Sequence, residues 1–149
     1  MVHSFSSSDQ THPLNNGYPC RIVDDNLKRT FSSVEQYMMW EKARTFPGNE
    51  EVMKQVLETS DYATIKSLGR AVINFDPVVW SSVAESIVER ACDLKVAQNV
   101  DVLAGLLATA DETIEQINPN DPTWSAPGKN LLGTILMRVR DRHWASMLL

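Results

Sequence analysis

Apolar residues recur at helical spacing along most of the chain beyond residue 31, and no such rhythm is present before it. Val34, Tyr37, Met38, Trp40 and Ala43 supply one broad apolar surface, and Ser32 with Glu35 three residues on fits a capping box at its start. Asn49 can cap a helix over 50–58, and Ser60 one over 61–68 that Gly69 ends. Asp76 followed by Pro77 is a helix start. It opens a long stretch in which Trp80, Val83, Ala84, Ile87, Val88, Ala91 and Leu94 return every three or four residues. Asn99 begins a further helix over 100–108, and Asn130 caps a last one with Leu132, Leu136 and Val139 inward. Thr113–Ile117 reads as a short strand. Ahead of residue 31 the pattern gives a short strand over 21–23, a polar turn at Asp24-Asp25-Asn26, and an irregular segment over 1–10. The prediction is a mainly α chain with a minor β element, an α+β fold, in a single compact domain over 1–149. No internal repeat and no Gly-, Pro- or Ser-rich linker divides it.

The chain's 149 residues, 43% hydrophobic and 22% charged, are those of a soluble globular protein with room for a core and a pocket. The net charge of -5 argues against non-specific nucleic-acid binding, which rests on Lys and Arg contacts to phosphate. Arg138, Arg140, Arg142 and His143 crowd the final helix and Lys28-Arg29 an early turn. A favourably charged helix C-terminus is one reading of the arginines, and a local basic patch the other. There is no apolar run long enough to span a membrane, and the first residues lack the basic and apolar regions of a signal peptide. The expected location is the cytoplasm, or the host cytoplasm for a viral protein. Cys20 and Cys92 read as reduced thiols, and neither they nor His3, His12 and His143 have metal-ligand spacing. No metal and no cofactor are expected.

Candidate chemistry begins with Glu35 and Lys42. They are seven residues apart, so on a helix they return to nearly the same face, ~10.5 Å apart along the axis, with Met38 and Met39 between them. If enclosed there, Lys42 loses hydration and its pKa falls, and a neutral amine can attack the aldehyde of an opened sugar. The alternative is a snorkelling lysine, or one paired with Glu35 or Glu41. Asp121 lies between Pro119 and Pro122 on a stiff loop, as a turn former or as a carboxylate held for a ligand. Trp124, close behind it, can stack on a base. Trp80 is either core or a pocket wall. Gly128-Lys129-Asn130 precedes a helix whose free N–H groups suit an anion, although the spacing is not that of a P-loop. Arg70 can bind a phosphate or form a surface ion pair, and Asn15 can read a base edge or fix a loop.

The segments Ser32–Ala43 and Asn118–Gly133 together resemble the NADAR family, also called YbiA-like proteins. Further blocks follow in the family's order: His12-Pro13-Leu14-Asn15-Asn16-Gly17-Tyr18-Pro19-Cys20, Leu68-Gly69-Arg70, Phe75-Asp76-Pro77-Val78-Val79-Trp80, Leu94-Lys95-Val96-Ala97-Gln98-Asn99 and Leu106-Leu107-Ala108-Thr109. The likeness spans about residues 5–142. Three departures stand out. Gln36 replaces a histidine of the family's Glu-His-Tyr/Phe motif, Gly17 stands where an aromatic is usual, and Gln116 stands where a glutamate is expected, with Glu115 next to it. The loop between Trp124 and Gly128 is also short.

The resemblance implies an N-glycosidase that hydrolyses the bond between a ribose and a base-derived nitrogen. Glu35, Lys42 and Asp121 are then the catalytic candidates, with Lys42 trapping the opened sugar, Glu35 moving protons and Asp121 in support. Asn15, Tyr18, Arg70, Trp80, Trp124, Gly128, Lys129 and Asn130 are the substrate-binding candidates. The favoured substrate is ADP-ribosylated guanine in DNA or nucleotides, as in antitoxins and phage countermeasures, with the DNA held through its modified base. Ribosylamino-pyrimidine phosphates of riboflavin biosynthesis are the alternative. A non-catalytic ADP-ribose-binding module is the alternative of another class.

Overall fold

The computed structural model describes residues 1–148. Six helices are accompanied by two two-stranded sheets, one parallel and one antiparallel. In chain order these are β1 (Val2–Ser6), β2 (Ile22–Asp24), β3 (Arg29–Phe31), α1 (Val34–Thr45) and α2 (Glu50–Leu57). They are followed by α3 (Tyr62–Arg70), α4 (Pro77–Gln98), α5 (Val100–Leu107), β4 (Thr113–Ile117) and α6 (Leu131–Met147). The mainly α character with a minor β component agrees with the periodicity of the sequence.

The helix α1 is the centre of the packing, in contact with α2, α3 and α4. Its Val34, Tyr37, Trp40 and Ala43 are buried. Phe31 of β3 lies against two of them, with ring centroids 4.7 Å from Tyr37 and 5.6 Å from Trp40. Such aromatic contacts add to area burial and fix the rotation of the helix about its axis. Val88, Ala91 and Val96 of α4 and Leu132, Ile135, Leu136 and Val139 of α6 extend the same core.

An anchor at β2 holds α1 and α4 together. Asp24, fully buried, accepts from Tyr37 Oη at 2.6 Å and from Arg90 Nε and Nη2 at 2.8 and 3.1 Å. It also accepts from the backbone N–H groups of Asn26 and Leu27. The Arg90 guanidinium first, then the Tyr37 and Leu27 donors, hold its carboxyl well below the usual carboxylate range.

Several boundaries differ from the sequence reading. Residues 2–6, expected to be irregular, pair in parallel with β4, Val2 opposite Thr113 and Ser6 opposite Ile117. Only Phe5 of that strand is buried, so the strand depends on a partner near the far end of the chain and has little pattern of its own. The cap of α1 is Ser33, whose side chain accepts from Gln36 N, and not Ser32. Asp61, not Ser60, caps α3 by accepting from Thr64 N. Gly69 does not end α3 but lies buried inside it against Met39. Asn49 and Asn130 stand at helix starts without a side-chain cap bond. Asn49 bridges Phe46 O to the backbone of Ile73, and Asn130 bridges Ile114 O and Gln116 N of β4.

The arginines of α6 form no free basic patch. Arg138 pairs with Glu85 and Glu89, Arg142 with Glu89 and Asp93, and Arg140 is buried against Thr109 and Glu112 O. No described helix is long and apolar enough to cross a membrane.

Candidate active site

Two helix faces make most of one cleft of about 250 Å³. Glu35, Met38 and Lys42 lie along the face of α1, and Tyr62, Lys66 and Arg70 along the face of α3. Both sets follow helical spacing, so each projects from one side of its helix. Gly69 makes the approach of the helices close: a Cβ there would strike Met39 Sδ and lie 3.1 Å from Met39 Cγ. The remaining walls are the turn at Asn15-Asn16 and the segment from Gln116 through Asp121 to Trp124.

Each wall is fixed by its own bonds. Asn16 O accepts from Glu35 N at 2.9 Å, tying the turn to the first residues of α1. Lys95, buried, donates from Nζ to Asn15 O at 2.9 Å. The Asn15 side chain is consumed by the turn itself, donating to Ser6 O and Ser7 O and accepting from Gly17 N. Asn16 Oδ1 is buried with no hydrogen-bond partner. At Gly17, a Cβ would lie 2.5 Å from Tyr62 Cδ1. The Tyr62 ring of α3 thus occupies the space beside Gly17.

Because the α1 cap is Ser33, Glu35 has no capping duty. Its side chain is buried on the cleft wall, and burial pushes its carboxyl up, against the opposing pull of Lys66, Lys42 and Arg70. Lys42 is half-buried with its ammonium over the Phe75 ring, 4.7 Å from the centroid. Burial lowers its pKa, Glu35 raises it and Arg70 lowers it further. The two groups are therefore both shifted toward their neutral forms, a combination suited to an acid working beside an amine nucleophile.

Asp121 also lines the cleft, but one of its oxygens is spent on the loop. Oδ1 accepts from Thr123 N at 3.1 Å and Trp124 N at 3.0 Å. Trp124 forms part of the same wall. The alternation of β4 puts Gln116 in the cleft, donating to Ser125 Oγ at 2.8 Å, and Glu115 on the other side of the strand.

Glu35, Lys42, Arg70, Asp121, Trp124 and Asn15 are thus brought together, and five other candidates are not. Tyr18 lies outside the cleft, its hydroxyl donating to Asp101. Trp80 lines a separate hollow between α4 and the 123–131 segment and packs on the cluster of Ala43, Phe46 and Val72. Gly128, Lys129 and Asn130 form no anion seat. The N–H groups expected to be free are taken by the preceding loop: Lys129 N by Pro122 O, Asn130 N by Ser125 O, Leu131 N by Thr123 O and Leu132 N by Trp124 O. The sequence reading missed Tyr62, Lys66 and Asn16. Ending α3 at residue 68 hid the i, i+4, i+8 series that joins Tyr62, Lys66 and Arg70. Gln36 points away from the cleft and ties α1 to the end of α2 through Val56 O and Thr59 O. Among the described residues no group of three or more His, Cys, Asp and Glu side chains could hold a metal ion.

The burial of Glu35 has a measurable cost. Its raised pKa means that the folded chain holds the proton more tightly than the unfolded one. Stability is therefore fullest below the ordinary glutamate value, about 4.3, and declines as pH rises toward the raised value. Glu35→Gln, neutral and nearly isosteric, is expected to be about 1 kcal/mol more stable than the parent above neutrality. Denaturant melts at pH 8 and pH 4 check this, since the advantage should vanish at the lower pH. Equal stabilities at pH 8 would mean that the cations around Glu35 fully offset its desolvation.

The match to the NADAR domain model spans residues 4–144. The N-glycosidase R617 of Acanthamoeba polyphaga mimivirus is 38% identical over 128 residues, covering 76% of this chain and 75% of that protein. The N-glycosidase YbiA of Escherichia coli K12 is 26% identical over 146 residues, covering 95% and 88%. The NMR structure of E. coli YbiA superposes with a TM-score of 0.81 at 27% identity, over 99% of this chain and 88% of that one. With its family match, its fold and a cleft between α1 and α3, the chain belongs to the NADAR family, and its reaction class is that of an N-glycosidase.

Proposed function

We propose that the protein hydrolyses the bond between ribose and a base-derived nitrogen in an ADP-ribosylated guanine. The observation that carries this reading is the convergence of buried Glu35 and half-buried Lys42 in a cleft with two further cations, Lys66 and Arg70. Those four side chains and Asp121 sum to +1, from three cations and two carboxylates, within a chain of net charge -5. Such a local sign suits a ribosyl substrate that carries phosphate. Trp124 offers a face on which a base can stack.

A balanced sequence uses these residues alone. The nitrogen lone pair expels the ring oxygen from C1, and Glu35 in its acid form protonates that oxygen. The neutral Lys42 amine adds to the resulting C1=N bond, and the base leaves as its amine with the proton that Lys42 gives up. Water then adds to the protonated Lys42 imine and returns a proton to the Glu35 carboxylate, and collapse of the adduct releases the sugar aldehyde and restores both side chains. The net change is one N-glycosyl bond and one water converted to a free amine and a free sugar. A mechanism with Glu35 and Asp121 flanking the bond is the competitor. The two backbone donors that already occupy Asp121 Oδ1 favour the lysine route.

Incubation with ADP-ribosylated guanosine, and separately with a ribosylamino-pyrimidine phosphate, should release guanosine and ADP-ribose from the first, as read by mass spectrometry. Cleavage of the pyrimidine compound alone would replace the proposed substrate with the phosphoribosyl one. Cleavage of neither would leave the ADP-ribose-binding reading. Unmodified DNA should bind weakly with a shallow salt slope, since the α6 arginines are already paired.

A further inference from the structure

We propose that His3 of β1 and His12 of the following loop form an acid-released latch, which holds the Asn15-Asn16 wall of the cleft in place while both imidazoles are neutral. Neither histidine lines the cleft. The latch concerns how the wall is held, whatever is bound behind it.

The hydrogen bonds decide the tautomers. His12 Nδ1 lies 3.1 Å from the backbone nitrogen of Leu14, which can only donate, so this ring nitrogen accepts and carries no proton. A neutral His12 then has its proton on Nε2. That nitrogen faces His3 Nε2 at 3.0 Å, so His3 accepts there and keeps its own proton on Nδ1. Acid breaks the arrangement at either ring. A proton on His3 Nε2 sets two N–H groups against each other, and one on His12 Nδ1 opposes the Leu14 N–H.

The surroundings favour the neutral pair. Both residues are half-buried, and the His12 ring stacks on Phe5 with centroids 4.8 Å apart and planes 17° from parallel. Burial pushes the His12 imidazole below its usual range. His3 of β1 and Lys95 of α4 act in the same sense, and Asp9 of the same loop opposes them. Lys95 is buried with its ammonium on Asn15 O, so it cannot turn away to water. From β4, the neutral Ile114 stands opposite His3.

The latch ends where the cleft wall begins. His12 O accepts from Asn15 N at 3.0 Å, and Asn16 O accepts from Glu35 N at 2.9 Å. On the other side, β1 pairs with β4, which carries Gln116 into the cleft. The neutral pair therefore ties the strand behind one wall to the turn that forms another. The lowered His12 value sets the direction of the effect. The latch contributes fully above the unfolded histidine value, about 6.5, and is lost as pH falls from there toward the folded value.

Nitrogen NMR of the imidazoles and amide hydrogen exchange of the intact chain test this. At pH 8, His12 should carry its proton on Nε2 and His3 on Nδ1. Between pH 8 and pH 5 the amides of Leu14, Asn15 and Glu35 should lose ~3–10-fold in protection, the range for one net hydrogen bond, after correction for intrinsic exchange. Amides in the buried part of α6 should keep theirs. In His12→Asn the new Oδ1 stands where Nδ1 did and still accepts from Leu14 N, but nothing there takes up a proton. Protection of the three amides should then be equal at the two pH values. Glu35 and Lys42 are unchanged in that variant, so the comparison separates the latch from titration inside the cleft. A His12 proton on Nδ1 at pH 8 would overturn the proposal. So would protonation of both rings with the three amides unaffected, or an equal acid loss in the parent and His12→Asn. The tautomers are read on the parent alone, so they decide the matter even where the variant fails to fold. Neither readout uses turnover, which keeps the test of the latch independent of the proposed reaction.

Discussion

Lys42→Ala is expected to fold as the parent does and to lose at least ~100-fold in turnover, the low end for removal of a proton-transferring or nucleophilic group. The fold should persist because Lys42 is only half-buried and its ammonium contacts an exposed ring, that of Phe75. Lys42→Arg should be as inactive as the alanine variant. The guanidinium keeps its charge and cannot form an imine with the opened sugar. Borohydride added during turnover should trap a sugar adduct on Lys42 in the parent, seen as a mass increase on the peptide that carries it, and none in either variant. Full activity in the arginine variant would move the chemistry to Glu35 and Asp121.

The same pair sets the pH profile. The rate should rise with pH as Lys42 gives up its proton, and fall as Glu35 loses the one it donates. Burial acts on the two in opposite senses, lowering the lysine and raising the glutamate, so both limbs move toward neutrality. In Glu35→Gln the alkaline limb should disappear together with most of the activity.

The helices were legible wherever apolar spacing and a start signal agreed. Asp76 and Pro77 open α4 as read, with Asp76 Oδ1 accepting from Val78 N at 2.9 Å, and β4 runs over the expected residues. Boundaries shifted where several polar residues compete for one cap. Ser32 and Ser33 are both plausible caps by composition. The choice is made by Gln36, whose side chain accepts from Ser32 N at 2.6 Å while its own N–H donates to Ser33. The strand β1 was invisible because its stabilising partner is distant in sequence and four of its five residues are not buried.

The site was legible on α1 and only half legible elsewhere. Glu35 and Lys42 share a face by helical geometry alone, and the cleft contains both. The failure at Gly128-Lys129-Asn130 has a clear physical cause. A helix N-terminus binds anions only with its N–H groups free, and here the carbonyls from Pro122 to Ser125 satisfy them first. No local pattern reveals that, since it depends on how the loop folds back. Lys66 was missed for the converse reason. An unpaired lysine on a short helix reads as a solvated charge until α1 is seen beside it.

Asp24→Ala is expected to be the most damaging single change to stability, by roughly 3–5 kcal/mol, the range for breaking a buried pair by removing one partner. The cost comes chiefly from what the aspartate leaves behind. Tyr37, only 1% exposed, loses the acceptor for its hydroxyl, whereas Arg90 is half-exposed and can turn to water. The lower end of the range is therefore the better expectation, which corresponds to a fall of roughly 6–12 °C in melting temperature for a domain of this size. Asp24→Asn should cost less, because an amide can still accept from the Asn26 and Leu27 backbone and donate to Tyr37. Its pH signature should differ as well. The depressed folded-state pKa of Asp24 means that its contribution is present above the unfolded value of about 3.9 and is lost as pH falls from there toward the folded value. The parent should therefore lose stability steeply below about pH 4, and the asparagine variant should show a shallower acid limb in denaturant melts. Identical acid limbs would place the acid sensitivity in other carboxylates. Since Tyr37 lies on α1 between Glu35 and Lys42 in sequence but faces the core, Asp24→Ala should unsettle the helix that carries both. At temperatures where the variant stays folded, its turnover per folded molecule should still fall far less than in Lys42→Ala.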